Sequence, residues 1–195
     1  MQPLLFATSN IGKVREIENA LIGHPWKIIP QSSLGIHDSV EETGLTFVEN
    51  AILKARYASA FTDLPALADD SGLVVDALNG EPGVFSARYA GTGVSFVEHT
   101  EKLLHAMKDI PDEKRSAHFY CVMVYLTHAN DPSPIICQGI WQGRILQTPQ
   151  GKQGFGYDPV FYVPTHDCSA AELPLSEKNH ISHRGQALAQ LVRQI

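Results

Sequence analysis

The sequence predicts an α/β fold with a mixed sheet, arranged as two lobes with a cleft between them. Three observations carry that prediction. An apolar run, Leu4-Leu5-Phe6-Ala7, stops at Thr8-Ser9-Asn10 and passes into a helical pattern in which Val14, Ile17 and Leu21 recur. Two capping boxes, Thr46-Phe47-Val48-Glu49 and Ser95-Phe96-Val97-Glu98, each open a further helix. Between and after these lie short strand-like runs bounded by Gly, Pro, Asn and Asp.

In chain order, the first strand, a tight loop and the first helix are followed by a short strand at Trp26–Pro30. Ser32–Gly44 reads as a loop, acidic at its end. The first capping box opens a helix through about Phe61, with Phe47, Ala51, Lys54, Ala55 and Ala58 along one side. Ala66-Leu67-Ala68 is a short buried strand ending at Asp69-Asp70-Ser71-Gly72, and Leu73–Leu78 is another strand. Gly80–Gly93, which contains Pro82, is a loop. The second capping box leads a helix to about Lys108. Ala117–Thr127 and Ile135–Leu146 are strand-like, and the turn signal Asn130-Asp131-Pro132-Ser133 predicts that they pair antiparallel. A Gly-rich loop, Gly151–Pro159, precedes a strand at Val160–Val163, and a final helix starts near Ser182. No repeat or linker interrupts the chain, so residues 1–195 are expected to form one domain.

Composition excludes several classes. The formal net charge of −6 weighs against sequence-independent binding of nucleic acid or of anionic membrane, since both need a basic surface. Cys121, Cys137 and Cys168 form no C-x-x-C pair, which removes a zinc ribbon and a thioredoxin-type site. Their sparse, odd number suits a reducing cytosol, and a cytoplasmic location is expected. The first apolar run ends by Thr8, so no secretory leader is expected, and no run approaches the ~18 apolar residues of a membrane span. No H-E-x-x-H pattern occurs among the histidines, so a zinc protease is disfavoured.

Four segments carry chemistry. The loop from Thr8 to Lys13 lies where a helix begins, and unpaired N–H groups there favour an anion. Thr8, Ser9, Asn10 and Lys13 add donors and charge, so Thr8, Ser9, Asn10, Ile11, Gly12 and Lys13 read as a phosphate cradle. This is not a P-loop: Ala7 stands where that motif needs its first Gly, and Val14 follows the Lys. Asp69-Asp70 places two adjacent carboxylates at a buried strand, a costly arrangement that a divalent cation such as Mg²⁺ relieves. Because side chains alternate along a strand, one Asp is expected to face the site; a solvated turn is the ordinary alternative. Glu41-Glu42 is a second acidic pair, and Lys54 follows it on the next helix. In Gly154-Phe155-Gly156-Tyr157-Asp158-Pro159, glycines let the backbone approach a ligand while Phe155 can stack on a planar base. Lys178, His183 and Arg184 supply donors suited to carbonyl oxygens or phosphates. Together these are the parts of a nucleoside triphosphate site with Mg²⁺.

At this point the sequence resembles the inosine triphosphate pyrophosphatases, also called dITP/XTP pyrophosphatases. The matching segments are Ala7 to Lys13, Glu41 to Gly44, Ala68 to Leu73, Pro82 to Tyr89, Gly154 to Pro159 and Ser182-His183-Arg184, in the family's order and over nearly the whole chain. The resemblance implies an elongated two-lobed fold, a homodimer, and a Mg²⁺-dependent site in the cleft. It implies hydrolysis of deaminated purine nucleoside triphosphates (ITP, dITP, XTP) to the monophosphate and pyrophosphate. Carried over by position, Thr8 to Lys13 hold the triphosphate. Asp70 is the general base and a metal ligand, with Glu41 as second ligand, and Ser71 touches the substrate. Phe155, Gly156, Tyr157, Asp158, Lys178, His183 and Arg184 hold base and sugar. Ser9 stands where many members have Gly, and its small size predicts no loss.

The implied selectivity lies at the purine 6-position, where buried groups donate to a carbonyl and would face a second donor in the amino group of adenine. Other readings are a pyrophosphatase for modified pyrimidine triphosphates, a non-catalytic nucleotide sensor, and a nucleic-acid module built on the basic C-terminal segment. The acidic pair weighs against the sensor, and the net charge weighs against the nucleic-acid module.

Overall fold

The computed structural model describes residues 2–36 and 40–195. Seven strands form one mixed sheet in the order β2-β1-β3-β4-β5-β6-β7. They are β1 (Gln2–Phe6), β2 (Trp26–Pro30), β3 (Ala66–Val75), β4 (Ser116–Leu126), β5 (Ile135–Ile145), β6 (Phe161–Val163) and β7 (Cys168–Ser169). The helices are α1 (Ile11–Ala20), α2 (Phe47–Thr62), α3 (Phe96–Ala106), α4 (Leu175–Ile181) and α5 (His183–Leu191). The predicted α/β class therefore holds. Both capping boxes form as read: Thr46 caps α2 and Ser95 caps α3, each reciprocated by the Glu three residues on.

The first half of the sheet is parallel. β1 pairs with β2 on one side and β3 on the other, with Leu4 opposite Ile28 and Phe6 opposite Leu67. Parallel neighbours need crossovers, and α1 supplies the first of them. The second half is antiparallel where β6 joins β5 and β7. The two long strands read as a hairpin, β4 and β5, are neighbours in the sheet.

Several predicted boundaries shift. Ala66–Ala68 and Leu73–Leu78 are not two strands: β3 runs unbroken through Asp69-Asp70-Ser71-Gly72 to Val75. Sheet neighbours on both sides and cationic partners for the carboxylates override the turn preference of Asp, Ser and Gly. The Ser32–Gly44 loop begins inside a 3₁₀ turn at Gln31–Leu34, and its residues 37–39 lie outside the described residues. A 3₁₀ turn at Gly83–Arg88 occupies the middle of the Gly80–Gly93 loop. The helix α4 and the two-residue strand β7 were not foreseen.

The chain divides into two compact units. The first comprises Met1–Asp70, Cys121–Gly139 and His183–Ile195, and its core includes Leu4, Phe6, Ile17, Leu67, Met123 and Leu188. The second comprises Ser71–Tyr120 and Ile140–Ser182, with Leu73, Leu103, Phe119, Trp141, Phe161 and Val163 in its core. Phe161 packs its ring 4.5 Å from that of Phe119 and 5.2 Å from that of Trp141. In the same unit the buried Arg115 guanidinium donates to the carbonyls of Met107, Ile110, Ile145 and Leu146.

Candidate functional site

In the first unit, β1 ends between two parallel neighbours, and its chain turns away into α1. Open α/β sheets place ligand sites at such a point, outside the carboxyl ends of the strands. The Ala7 N–H donates to the Leu67 carbonyl of β3 at 2.8 Å, which brings Asp69, two residues on, towards the loop after β1.

That loop organises itself. Asn10 Oδ1 accepts from the N–H groups of Gly12 (2.9 Å) and Lys13 (3.2 Å), and the Asn10 N–H donates to Thr8 Oγ1. The predicted cradle is therefore a capped helix start in which two N–H groups already serve Asn10, and Ser9 and Ile11 stand exposed. Lys13 Nζ lies 3.0 Å from the Asp69 carboxylate.

Asp69 and Asp70 alternate on β3, and each is buried with its own cations. Asp69 meets Lys13, and Arg184 Nε and Nη2 at 3.2 Å each; Cys121 Sγ lies 4.0 Å away. Burial opposes its ionisation, but the charges of Lys13, Arg184 and Lys54 outweigh burial and hold the carboxyl well below the usual range. Burial and that carboxylate push the Cys121 thiol up to about 12.

Asp70 differs. Its Oδ1 lies 2.7 Å from Lys54 Nζ, and its Oδ2 accepts from Asn50 Nδ2 at 3.4 Å. Burial raises its pKa above the ordinary Asp value and prevails over Lys54 and Lys13. Burial also opposes the Lys54 charge, but Asp70, Asp69 and Glu42 together hold its pKa above the usual lysine value. Lys54 Nζ bridges to Glu42 Oε1 at 3.0 Å.

The carboxylate brought towards Asp70 is thus Glu42. Glu41, expected from the sequence as the second metal ligand, is exposed. The reason is local. Gly44 lies tight against α2, where an added Cβ would come within 2.6 Å of Glu49 Cβ and 2.7 Å of Asn50 Oδ1. The Gly44 N–H is held by Asn50 Oδ1. This fixes the Glu41–Gly44 segment with Glu42 towards Lys54.

Arg184, expected from the sequence at the base, is buried and binds Asp69 and, through Nη1, Glu16 of α1. Burial opposes the charge, but Glu16 and Asp69 raise its pKa further. His183 is buried beside it, and its carbonyl packs on Gly139 of β5, where any Cβ would collide.

Three of the residues that the sequence assigned to base and sugar come together in the second unit. Asp158 Oδ2 accepts from the Phe155 N–H at 2.8 Å and from Lys178 Nζ at 2.6 Å. Lys178, itself buried, holds its ammonium 4.9 Å from the Phe155 ring centroid. Gly156 takes a positive φ of 66° between the two. Tyr157 is buried and donates its hydroxyl to the Ser86 carbonyl at 2.9 Å, so its polar end serves the fold. Ser71 is half-buried on β3.

Glu16 and Asn50 join this assembly without having been singled out in the sequence. Lys54, which the sequence places on the helix after the acidic pair, meets Glu42 and Asp70. Its place among the alanines of one α2 face was the available signal, because a lysine on an apolar stripe needs a buried partner. Glu16 carried no such signal, since its partner follows 168 residues later.

Four carboxylates (Glu16, Glu42, Asp69, Asp70) thus meet three cations (Lys13, Lys54, Arg184). Among the described residues, no group of three or more His, Cys, Asp and Glu side chains is arranged to hold a metal alone. That donor set fits Mg²⁺, which takes one or two carboxylates and completes its shell with substrate phosphates and water. No helix among the described residues is long and apolar enough to cross a membrane.

Comparison with known proteins finds matches over nearly the whole chain. The model of the Ham1 family matches residues 4–194. The dITP/XTP pyrophosphatase of Escherichia coli (strain K12) is 55% identical over 192 residues, covering 98% of this chain and 97% of that protein. The dITP/XTP pyrophosphatase of Yersinia pestis is 57% identical over 188 residues, covering 96% and 95%. Among solved structures, a HAM1 protein from Coxiella burnetii superposes with a TM-score of 0.91 at 52% identity, covering 100% of this chain and 98% of that one. The Ham1 protein of Staphylococcus aureus gives 0.86 at 39% identity, covering 99% and 97%.

Proposed function

The chain belongs to the Ham1 family and is a nucleoside triphosphate pyrophosphatase, and from that premise we propose that it hydrolyses ITP, dITP and XTP to the monophosphate and pyrophosphate. The observation that carries the mechanism is the pair Asp69–Asp70. Adjacent carboxylates whose surroundings push their pKa values apart mark a division of labour. Asp69, held ionised, fixes Lys13 and Arg184. Asp70, raised, is poised to take a proton.

In this reading Asp70 accepts a proton from a water whose oxygen attacks the α-phosphorus. The bond from that phosphorus to the bridging oxygen breaks, and pyrophosphate leaves with the electron pair. Lys13 and Lys54 set positive charge against the phosphates. Asp70 and Glu42 are the residues that would hold Mg²⁺, which when bound offsets charge building on the leaving pyrophosphate. Phe155 stacks on the purine, and Lys178 beside it donates to the 6-carbonyl, where adenine would present a second donor. We place the enzyme in the cytoplasm, where its three free cysteines stay reduced, and as a homodimer, which gel filtration with light scattering tests.

Product analysis of ITP, dITP, XTP, ATP and GTP with Mg²⁺ and with EDTA tests the reading. Monophosphate and pyrophosphate from the first three, abolished by EDTA, is the expected result. Equal turnover of all five rejects the base selectivity, and no turnover rejects the activity.

A further inference from the structure

We propose that Phe96 is a positioning residue that holds the Phe155 ring for stacking on the purine and so sets the affinity for the base. The proposal rests on the reading above, in which Phe155 is the shelf for that base.

The capping box at the start of α3 requires Ser95 and Glu98 and makes no demand on the two residues between them. Position 96 nevertheless carries a large ring that is 39% exposed. A solvent-facing first helical position gains nothing from Phe unless the ring has work elsewhere. Here it has two ring partners and a backbone surface.

Phe96 meets Phe155 edge-to-face, with centroids 6.5 Å apart and planes at 61°. Such pairs have a preferred geometry, so each ring restrains the tilt of the other. On its other contact, Phe96 meets His99 at 5.7 Å and 62°. His99 is itself fixed: it is buried, and its Nδ1 accepts from the Ala90 N–H at 2.8 Å. Beneath, a Cβ built on Gly156 would lie 3.6 Å from the Phe96 ring, an ordinary contact distance, so the ring rests over the loop that carries Phe155.

Polar contacts hold Phe155 as well. Asp158 holds its backbone N–H, and Lys178 stands over one face of its ring. The edge contact from Phe96 adds a restraint on the tilt of the ring itself. A ring held in place loses less freedom when the base arrives, which appears as affinity.

The test is steady-state kinetics on ITP, with pyrophosphate as a competitive inhibitor that lacks a base. Phe96→Ala is expected to raise KM for ITP by about two- to tenfold, the scale of one aromatic pair, with kcat and the pyrophosphate inhibition constant unchanged. Phe96→Tyr restores KM; Phe96→Leu, which keeps bulk but no ring, does not. Phe155→Ala raises KM, and Phe96→Ala adds nothing on that background, because Phe96 acts through Phe155. An unchanged KM in Phe96→Ala overturns the proposal, as does rescue by Leu, or a parallel rise in the pyrophosphate constant. An additive double variant overturns it too, since the ring would then act independently of Phe155. If wild type turns over ITP but Phe155→Ala leaves KM unchanged, the shelf is wrong and Phe96 falls with it. If wild type does not turn over ITP, dITP or XTP, the functional reading itself fails.

Discussion

Arg184 donates twice to one oxygen of Asp69: its Nε and Nη2 each lie 3.2 Å from Oδ2. Its Nη1 pairs with Glu16, so a single guanidinium joins α5 to α1 and to the interior strand β3. All three side chains are buried. Removing one member of such a cluster leaves uncompensated charge, typically at a cost of about 3–5 kcal/mol.

Arg184→Ala should therefore lower the urea midpoint by an amount equivalent to about 3–5 kcal/mol, with an unchanged m-value. Loss of activity would follow from loss of structure. A variant that kept the wild-type midpoint, raised KM for ITP and narrowed the gap to ATP would instead return Arg184 to the base.

The same cluster sets a pH dependence. The pKa of Asp69 in the fold lies below its ordinary value of 3.8, so its ionised pairing contributes stability that is fully present above that value. The contribution is lost as pH falls through the lower, folded value. The stability gap between wild type and Asp69→Asn should be constant from pH 7 to 5 and shrink below about pH 4. Urea titrations across that range check it, and a gap that widens on acidification would contradict the assignment.

Asp70 runs the opposite way. Its folded pKa is raised, so the rising limb of kcat/KM for ITP should lie above pH 3.8. Lys54 is among the charges that pull that value down, so Lys54→Met should move the limb to higher pH. Asp70→Asn should cut kcat by at least ~10²-fold with little change in the urea midpoint. A pH profile untouched by Lys54→Met would separate the limb from Asp70.

Gly139→Ala probes the seat of α5. The added methyl would collide with the His183 carbonyl and lie 2.9 Å from Gln186 Cβ. Overpacking of this kind costs about 1–3 kcal/mol, and here it displaces the residue next to Arg184. A lower melting temperature together with reduced turnover is expected. Unimpaired turnover at full stability would mean that α5 can shift without consequence.

Local signals were legible in the sequence and long-range ones were not. Trp26–Pro30 emerged as a strand with the predicted bounds, and Thr46 and Ser95 capped their helices as read, because these features depend on residues within a turn of each other. Asp69-Asp70-Ser71-Gly72 was read as the end of a strand because its composition favours turns. What keeps it extended is a pair of flanking strands and cations from positions 13, 54 and 184. The same distance hid Glu16. The α4 helix escaped because Ser176 to Asn179 offers no apolar period, and its buried member, Lys178, is anchored by Asp158. The site was legible as a set of chemistries, while the pairing within it (Glu42 rather than Glu41 on Lys54, Arg184 on Asp69) was decided by three-dimensional contacts.

The first unit is assembled from three stretches of chain, the last beginning at His183. A chain emerging from the ribosome makes β1, α1 and β3 early, yet Glu16 and Asp69 have no arginine to join them until residue 184 has been synthesised. Closing contacts over 115 and 168 residues carries a large entropic cost and slows folding. The order of synthesis thus makes α5 the last piece of the first unit: a chain that stops before it lacks the guanidinium that joins Glu16 to Asp69.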